Sequence, residues 1–119
     1  MIFIVDDDHA TRNSLCLLLE TEGLEAEGFA AGRPFLDAAR PVKGDCLVLD
    51  VHMPGMSGLD VLAELRRRGD RLPVIVLTGR LDRLTHARAL AGGAFAVLEK
   101  PAKFDELLGL LRGASRAVC

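Results

Sequence analysis

Five residues able to do chemistry recur at the ends of apolar runs along this chain. Asp6 and Asp7 follow the first run, Asp50 ends the third, Thr78 ends the fourth, and Lys100-Pro101 stands just past the fifth. Three carboxylates gathered at one place repel one another and raise each other's pKa values, and a bound divalent cation relieves that repulsion. Mg²⁺ suits such a group because it takes hard oxygen ligands and keeps positions open for waters or phosphate oxygens. A carboxylate is also a nucleophile that can carry a phosphoryl group as an aspartyl phosphate. Phosphoryl transfer asks mainly for positioning and for positive charge on the phosphoryl oxygens. Mg²⁺ and Lys100 are expected to supply that charge, and the Thr78 hydroxyl a hydrogen bond.

The elements that must bring these residues together are legible in the hydropathy pattern. Met1–Val5 reads MIFIV, a continuous apolar run that predicts a buried strand. Asp8 is placed to cap a helix whose apolar positions Leu15, Leu18 and Leu19 recur at helical spacing, and Gly23 ends it. Leu24–Phe29 alternates polar and apolar residues, as an edge strand does. Pro34 stands near the start of a second helix, Phe35–Arg40. Cys46–Leu49 is the next buried run. After Pro54, Gly55 and Gly58, a third helix is expected over about Leu59–Arg68, with Leu59, Leu62 and Leu65 on one face. Pro73 opens the strand VIVLT, a helix follows at about Arg83–Ala91, and the Gly92-Gly93 pair ends it. Phe95–Leu98 is the fifth strand. The last helix runs from about Phe104 to Ala117, with Leu107, Leu108, Leu111 and Ala114 facing inward. Five strand-then-helix units predict a parallel sheet covered on both faces, an open doubly wound α/β architecture. Such sheets bind ligands outside the carboxyl ends of their strands, where the residues above fall.

Composition narrows the function classes. The chain has 119 residues, enough for one domain spanning 1–119, and half of them are apolar. A net charge of -2 gives no basic surface, and Trp and Tyr are absent, so nucleic-acid binding by this segment is not expected. The three cysteines, Cys16, Cys46 and Cys119, match no zinc spacing, and the first two lie in apolar runs, which predicts reduced thiols. No signal peptide or membrane-spanning run is visible, so a cytoplasmic location is expected.

The segments IVDDD, LVLDVHMPGMSG, VIVLTG and LEKP, in this order and spacing, resemble the receiver domains of bacterial two-component response regulators, above all receivers that precede a helix-turn-helix output domain. The resemblance covers nearly the whole chain. It implies a (βα)5 flavodoxin-like fold with strand order 2-1-3-4-5. It implies that Asp50 accepts a phosphoryl group from a phosphohistidine on a sensor histidine kinase or phosphotransfer protein. Asp7, Asp50 and the His52 backbone carbonyl would bind Mg²⁺ directly, and Asp6 through a water. Thr78 would turn inward to the phosphoryl group, Lys100 would pair with it, and Pro101 would follow through a cis peptide bond. The face of helix four, strand five and helix five would change on phosphorylation. It would then dimerise or meet an output partner, with Arg80, Arg83 and Arg88 facing Asp105 and Glu106 across a dimer.

Other readings attach to single residues. The His52 side chain is expected to point outward beside the incoming phosphoryl donor and to tune dephosphorylation, while His9 and His86 read as surface residues. Arg66-Arg67-Arg68 reads as a solvated run at a helix C-terminus. Receivers usually carry a switch aromatic three positions before the lysine of strand five. Here that position is Val97, so either Phe95, two residues earlier and on the same side of the strand, substitutes, or the aromatic arm is missing. Two other function classes stand beside the phosphorylation switch. A phosphate-ester hydrolase usually needs a carboxylate two residues after its nucleophile, where His52 stands, so enzymatic activity beyond turnover of the chain's own phosphoryl group is not expected. An interaction module that is never phosphorylated is the alternative that the Val97 departure leaves open.

Overall fold

The computed structural model describes residues 1–80 and 82–117. Its sheet has five parallel strands in the order β2-β1-β3-β4-β5. They are β1 (Ile2–Val5), β2 (Ala26–Phe29), β3 (Cys46–Asp50), β4 (Val74–Thr78) and β5 (Ala96–Glu99). Helices α1 (His9–Thr21), α2 (Gly32–Ala38), α3 (Gly58–Arg67), α4 (Arg83–Ala91) and α5 (Phe104–Ala117) connect or follow them. The expected doubly wound architecture is therefore the one observed.

Each central strand feeds two cores. Phe3, Val5, Leu47, Leu49, Val74 and Val76 meet residues of α2, α3 and α4 on one face. Ile2, Ile4, Cys46, Val48, Ile75 and Leu77 meet α1 and α5 on the other, where Leu107, Leu108, Leu111 and Ala114 are buried as expected. Alternate side chains point to opposite faces, and both faces are covered, so the strands read as unbroken apolar runs. The rings of Phe3, Phe29 and Phe35 pack edge to face or tilted at 5.5–6.4 Å between centroids and fasten α2 over β1 and β2.

Local differences from the sequence expectation have physical causes. Helix α2 begins at Gly32, three residues early, because Pro34 fits in the first turn, where its missing N–H has no helical partner. Helix α3 starts one residue early because Ser57 and Asp60 form a reciprocal capping box. Strand β2 is two residues shorter at its start than Leu24–Phe29. Strand β5 runs Ala96–Glu99, not Phe95–Leu98, so Phe95 lies just outside it. Leu18 does not face the core: Leu19 is buried with Leu15 and Cys16 packed beside it, whereas Leu17 and Leu18 are exposed. Cys46 is buried, Cys16 is half-buried and both are free; Cys119 lies outside the described residues. Among the described residues no helix is long and apolar enough to cross a membrane.

Candidate functional site

Parallel pairing puts the chemistry at one edge of the sheet. Val5 is level with Leu49, Asp50 with Leu77, and Thr78 with Glu99. Asp6 and Asp7 leave β1 beside Asp50, and Lys100 leaves β5 one residue beyond the level of Thr78. The Lys100 N–H donates to the Thr78 carbonyl (2.8 Å) and the Val51 N–H to the Leu77 carbonyl (3.0 Å), so the ladder holds to the very ends of these strands. The Lys100-Pro101 peptide is cis.

Carboxylate oxygens of Asp6, Asp7 and Asp50 lie within 4.8 Å of one another. Asp6 and Asp50 are only 2% and 4% exposed, while Asp7 is open to solvent. The Lys100 ammonium donates to Asp6 Oδ2 at 3.0 Å and stands 3.2 Å from Asp50 Oδ1, bridging the two. One ammonium cannot balance three carboxylates. Burial and then the Asp6 charge push the Asp50 carboxyl above its ordinary range, with Lys100 pulling the other way. Burial alone would lower the Lys100 pKa, but its hydrogen bond to Asp6 and the Asp50 charge outweigh that and leave it raised.

This donor set fits a hard divalent cation: all three side chains offer oxygen, one is solvent-facing, and the cluster carries uncompensated negative charge. The approach of α3 keeps the neighbourhood narrow. A Cβ on Gly58 would come 2.2 Å from the Asp50 carbonyl oxygen, so only glycine lets the helix start this close to the strand end. The Gly58 N–H donates to the Val51 carbonyl at 2.9 Å, tying the loop after β3 to α3.

Thr78 is fully buried. Its hydroxyl is turned to the loop after β4: it donates to the Arg80 carbonyl (3.1 Å) and accepts from the Arg80 N–H (3.2 Å). His52 is exposed, as expected, yet its Nε2 lies 3.3 Å from Thr78 Oγ1, so the ring reaches back to the site. His9 and His86 are exposed. Val97 is half-buried against the core shared by α2, α3 and α4, whereas Phe95 is 43% exposed.

The arginine run is not the solvated face that its composition suggests. Arg66 donates to the carbonyls of Asp70 (2.8 Å), Leu72 (2.9 Å) and Gly93 (2.8 Å), and Arg68 to that of Leu36 (2.8 Å). Only Arg67, paired with Glu64 on the surface, fits the solvated description. The Asp70 and Leu72 carbonyls follow α3 directly, but Leu36 belongs to α2 and Gly93 to the loop before β5, and no local signal announced those two contacts. Asp45 is a second residue the sequence did not single out. It is 7% exposed, accepts from the Val42 N–H at 2.8 Å and lies 3.2 Å from the Met1 ammonium.

Comparison with known proteins extends this local agreement to the whole chain. The chain is 41% identical over 115 residues to Nodulation protein W of Bradyrhizobium diazoefficiens, covering 97% of this chain and 51% of that protein. It is 45% identical over 105 residues to Transcriptional regulatory protein FixJ of Azorhizobium caulinodans, covering 88% and 49%. The chain thus spans about half the length of the curated relatives it matches. Among solved structures it superposes on FixJ-N with a TM-score of 0.90 at 31% identity, covering 99% of this chain and 94% of that one. The response regulator StyR gives 0.91 at 36% identity, covering 98% and 59%. A family model described as the response regulator receiver domain matches residues 2–112, which takes in all five strands and the edge that carries the acidic cluster. By sequence and by fold, this chain belongs to the response regulator receiver domain family.

Proposed function

We propose that the chain is a phosphorylation switch in which Asp50 accepts a phosphoryl group from the phosphohistidine of a sensor histidine kinase or phosphotransfer protein. The observation that carries this reading is the convergence of Asp6, Asp7 and Asp50 within 4.8 Å, with Lys100 bridging two of them. An Asp50 oxygen attacks phosphorus, the P–N bond to the donor imidazole breaks as the new P–O bond forms, and the imidazole leaves. Asp7, Asp50 and the His52 carbonyl would hold Mg²⁺, with Asp6 acting through a bound water. Bound there, the cation would neutralise charge on the phosphoryl oxygens. Lys100 then exchanges one carboxylate partner for a phosphoryl oxygen, and Thr78 swings its hydroxyl away from Arg80 towards the same group. Later, water attacks phosphorus, the P–O bond to Asp50 breaks, and inorganic phosphate leaves as the free carboxylate is restored.

Phosphorylation adds roughly one and a half to two negative charges at neutral pH. That local change reaches the loops after β4 and β5 through Thr78 and Lys100 and alters the face formed by α4, β5 and α5. Leu84, Leu90 and Phe95 leave apolar surface on that side, and Arg80, Arg83, Arg88, Asp105 and Glu106 are exposed there for ion pairs with a second copy or an output domain. One competing reading has an observation in its favour. Val97 stands in place of the switch aromatic, which suits an interaction module that is never phosphorylated.

Incubation with acetyl phosphate and Mg²⁺, followed by intact-mass measurement, separates the two. A Mg²⁺-dependent gain of one phosphoryl group, absent in Asp50→Asn, is the expected result. A folded protein that gains none overturns the switch reading and favours the interaction module.

A further inference from the structure

The loop that presents Asp7 is braced from outside the acidic cluster. Arg12, in the first turns of α1, sends Nη1 back to donate to the Asp6 carbonyl at 2.7 Å, while Nη2 lies 3.0 Å from His9 Nδ1. Its stem lies across β2 at Gly28, where an added Cβ would sit 2.8 Å from Arg12 Cγ and 2.9 Å from Cδ. Glycine in a strand interior commonly marks such a close approach. The other polar groups of Asp6 are also held: its N–H donates to the Phe29 carbonyl (3.1 Å), Oδ1 accepts from the Asp8 N–H (2.9 Å), and Oδ2 accepts from Lys100 (3.0 Å).

We infer that Arg12, seated over Gly28, is a positioning residue for the metal site, fixing the peptide unit from which the Asp7 side chain is aimed. The carbonyl that Arg12 grips belongs to the same rigid peptide plane as the Asp7 N–H. Rotation of that plane would swing Asp7 away from Asp6 and Asp50, and Asp7 is exposed, with no burial to hold it. The Asp8 cap fixes the far end of the same turn through its bond from the Ala10 N–H. A charge-assisted hydrogen bond to a carbonyl is strong enough to set the orientation of one peptide unit.

Positioning and simple electrostatics make opposite demands. A guanidinium near the cluster repels a cation, so if charge alone mattered its removal would tighten Mg²⁺ binding. If bracing matters, removal weakens it. Partners that orient metal ligands typically account for about 10–100-fold in metal affinity. The inference rests on the Mg²⁺ site proposed above, and the test separates the two.

The experiment is calorimetric titration of the folded chain with Mg²⁺, together with amide exchange at Asp7 and Asp8 in metal-free buffer. Arg12→Met keeps the apolar stem and loses the donor; Gly28→Ala keeps the donor and displaces the stem. Both should weaken Mg²⁺ about tenfold and speed exchange of the Asp8 amide, which donates to Asp6 Oδ1, whereas a merely structural role would lower the unfolding midpoint and leave affinity alone. Unchanged or tighter Mg²⁺ binding in Arg12→Met overturns the inference. Wild-type protein that binds no Mg²⁺ would instead remove the metal site. In that case the exchange data decide the brace: faster Asp8 exchange in both variants supports it, and unchanged exchange overturns it.

Discussion

The His52 ring and the Thr78 hydroxyl meet at 3.3 Å, and that contact fills the last hydrogen-bonding position of the hydroxyl. A hydroxyl has one donor and two acceptor positions. Thr78 spends its proton on the Arg80 carbonyl and one lone pair on the Arg80 N–H, which leaves one lone pair facing His52 Nε2. None of the three points at Asp50. A phosphoryl group on Asp50, as proposed, would therefore compete with His52 and the Arg80 backbone for the same hydroxyl.

His52→Ala should ease that competition while keeping the backbone carbonyl proposed as a Mg²⁺ ligand. A neutral hydrogen bond contributes about 1 kcal/mol net, which corresponds to about fivefold in affinity. Titration with beryllofluoride, a phosphoryl mimic, in saturating Mg²⁺ should show binding tightened by about that factor. Equal affinities would mean that the ring does not restrain Thr78.

Asp50 sets a pH dependence of stability whose sign follows from its raised pKa. Burial and the neighbouring Asp6 charge disfavour its ionised form in the fold. The folded state therefore keeps a proton that the unfolded state loses, and this contribution to stability is lost as pH rises from the ordinary aspartate range through the raised value. Asp50→Asn removes the penalty. In metal-free buffer at neutral pH the variant should be more stable than wild type by about 1 kcal/mol. Urea unfolding at pH 7 and pH 4 checks this, and the advantage should shrink at the lower pH. A variant less stable than wild type at pH 7 would falsify the account of the cluster as strained by its own charge.

The same strain predicts a large response to metal. A ligand that binds only the folded state at a free concentration of 100 times its Kd stabilises by about 2.7 kcal/mol, or about 10 °C for a domain of this size. Mg²⁺ should raise the wild-type melting temperature on that scale and raise that of Asp50→Asn far less. Equal shifts in the two proteins would place the cation elsewhere.

These expectations rest on a site whose outline was readable from the sequence, for a physical reason. A strand buried on both faces must be apolar throughout, so Asp6, Asp50 and Thr78 stand out as the points where Ile2–Val5, Cys46–Leu49 and Val74–Leu77 stop. Parallel order then puts those points on one edge. Helix starts were less visible where a cap was needed to see them, as at Ser57. Side-chain contacts across the fold were hidden altogether: Arg66 and Arg12 look like solvated helix residues until the loops and β2 are in place. Gly28 was the one available hint, an unfilled position in a strand interior. The reach of His52 back to Thr78 was likewise invisible, because residues 26 apart in sequence meet only through β3–β4 pairing.

Within the arginine run, neighbouring residues should behave very differently. Arg66 satisfies three backbone carbonyls in the loops before β4 and β5, and burial lowers its pKa. Arg66→Ala should cost about 2–3 kcal/mol, the scale of losing charge-assisted bonds to carbonyls. Arg66→Lys should recover little, since an ammonium lacks the planar fork. Arg67→Ala, on the surface beside Glu64, should change stability by less than about 0.5 kcal/mol. Chemical denaturation of the three variants gives the ranking directly, and equal costs for Arg66 and Arg67 would contradict the assigned contacts.

Phe95 lies at the surface, set back along the sheet from the acidic edge. Its N–H donates to the Val74 carbonyl at the start of β4, whereas Val97 pairs with Val76. Val74 precedes Thr78 by four residues, about 13 Å at the rise of a strand, so the ring stands well back from the hydroxyl that a switch aromatic would follow. Phe95→Ala should therefore leave the rate of Asp50 phosphorylation within about twofold. With the ring 43% exposed, it should also cost little stability. Its effect should fall on association. Phe95 is exposed, as are Leu84 and Leu90 of α4, in the proposed output region. Sedimentation of the phosphorylated protein should show weaker self-association in the variant than in wild type. Equal association, with phosphorylation intact, would take Phe95 out of the output face and leave α4 and α5 to form it.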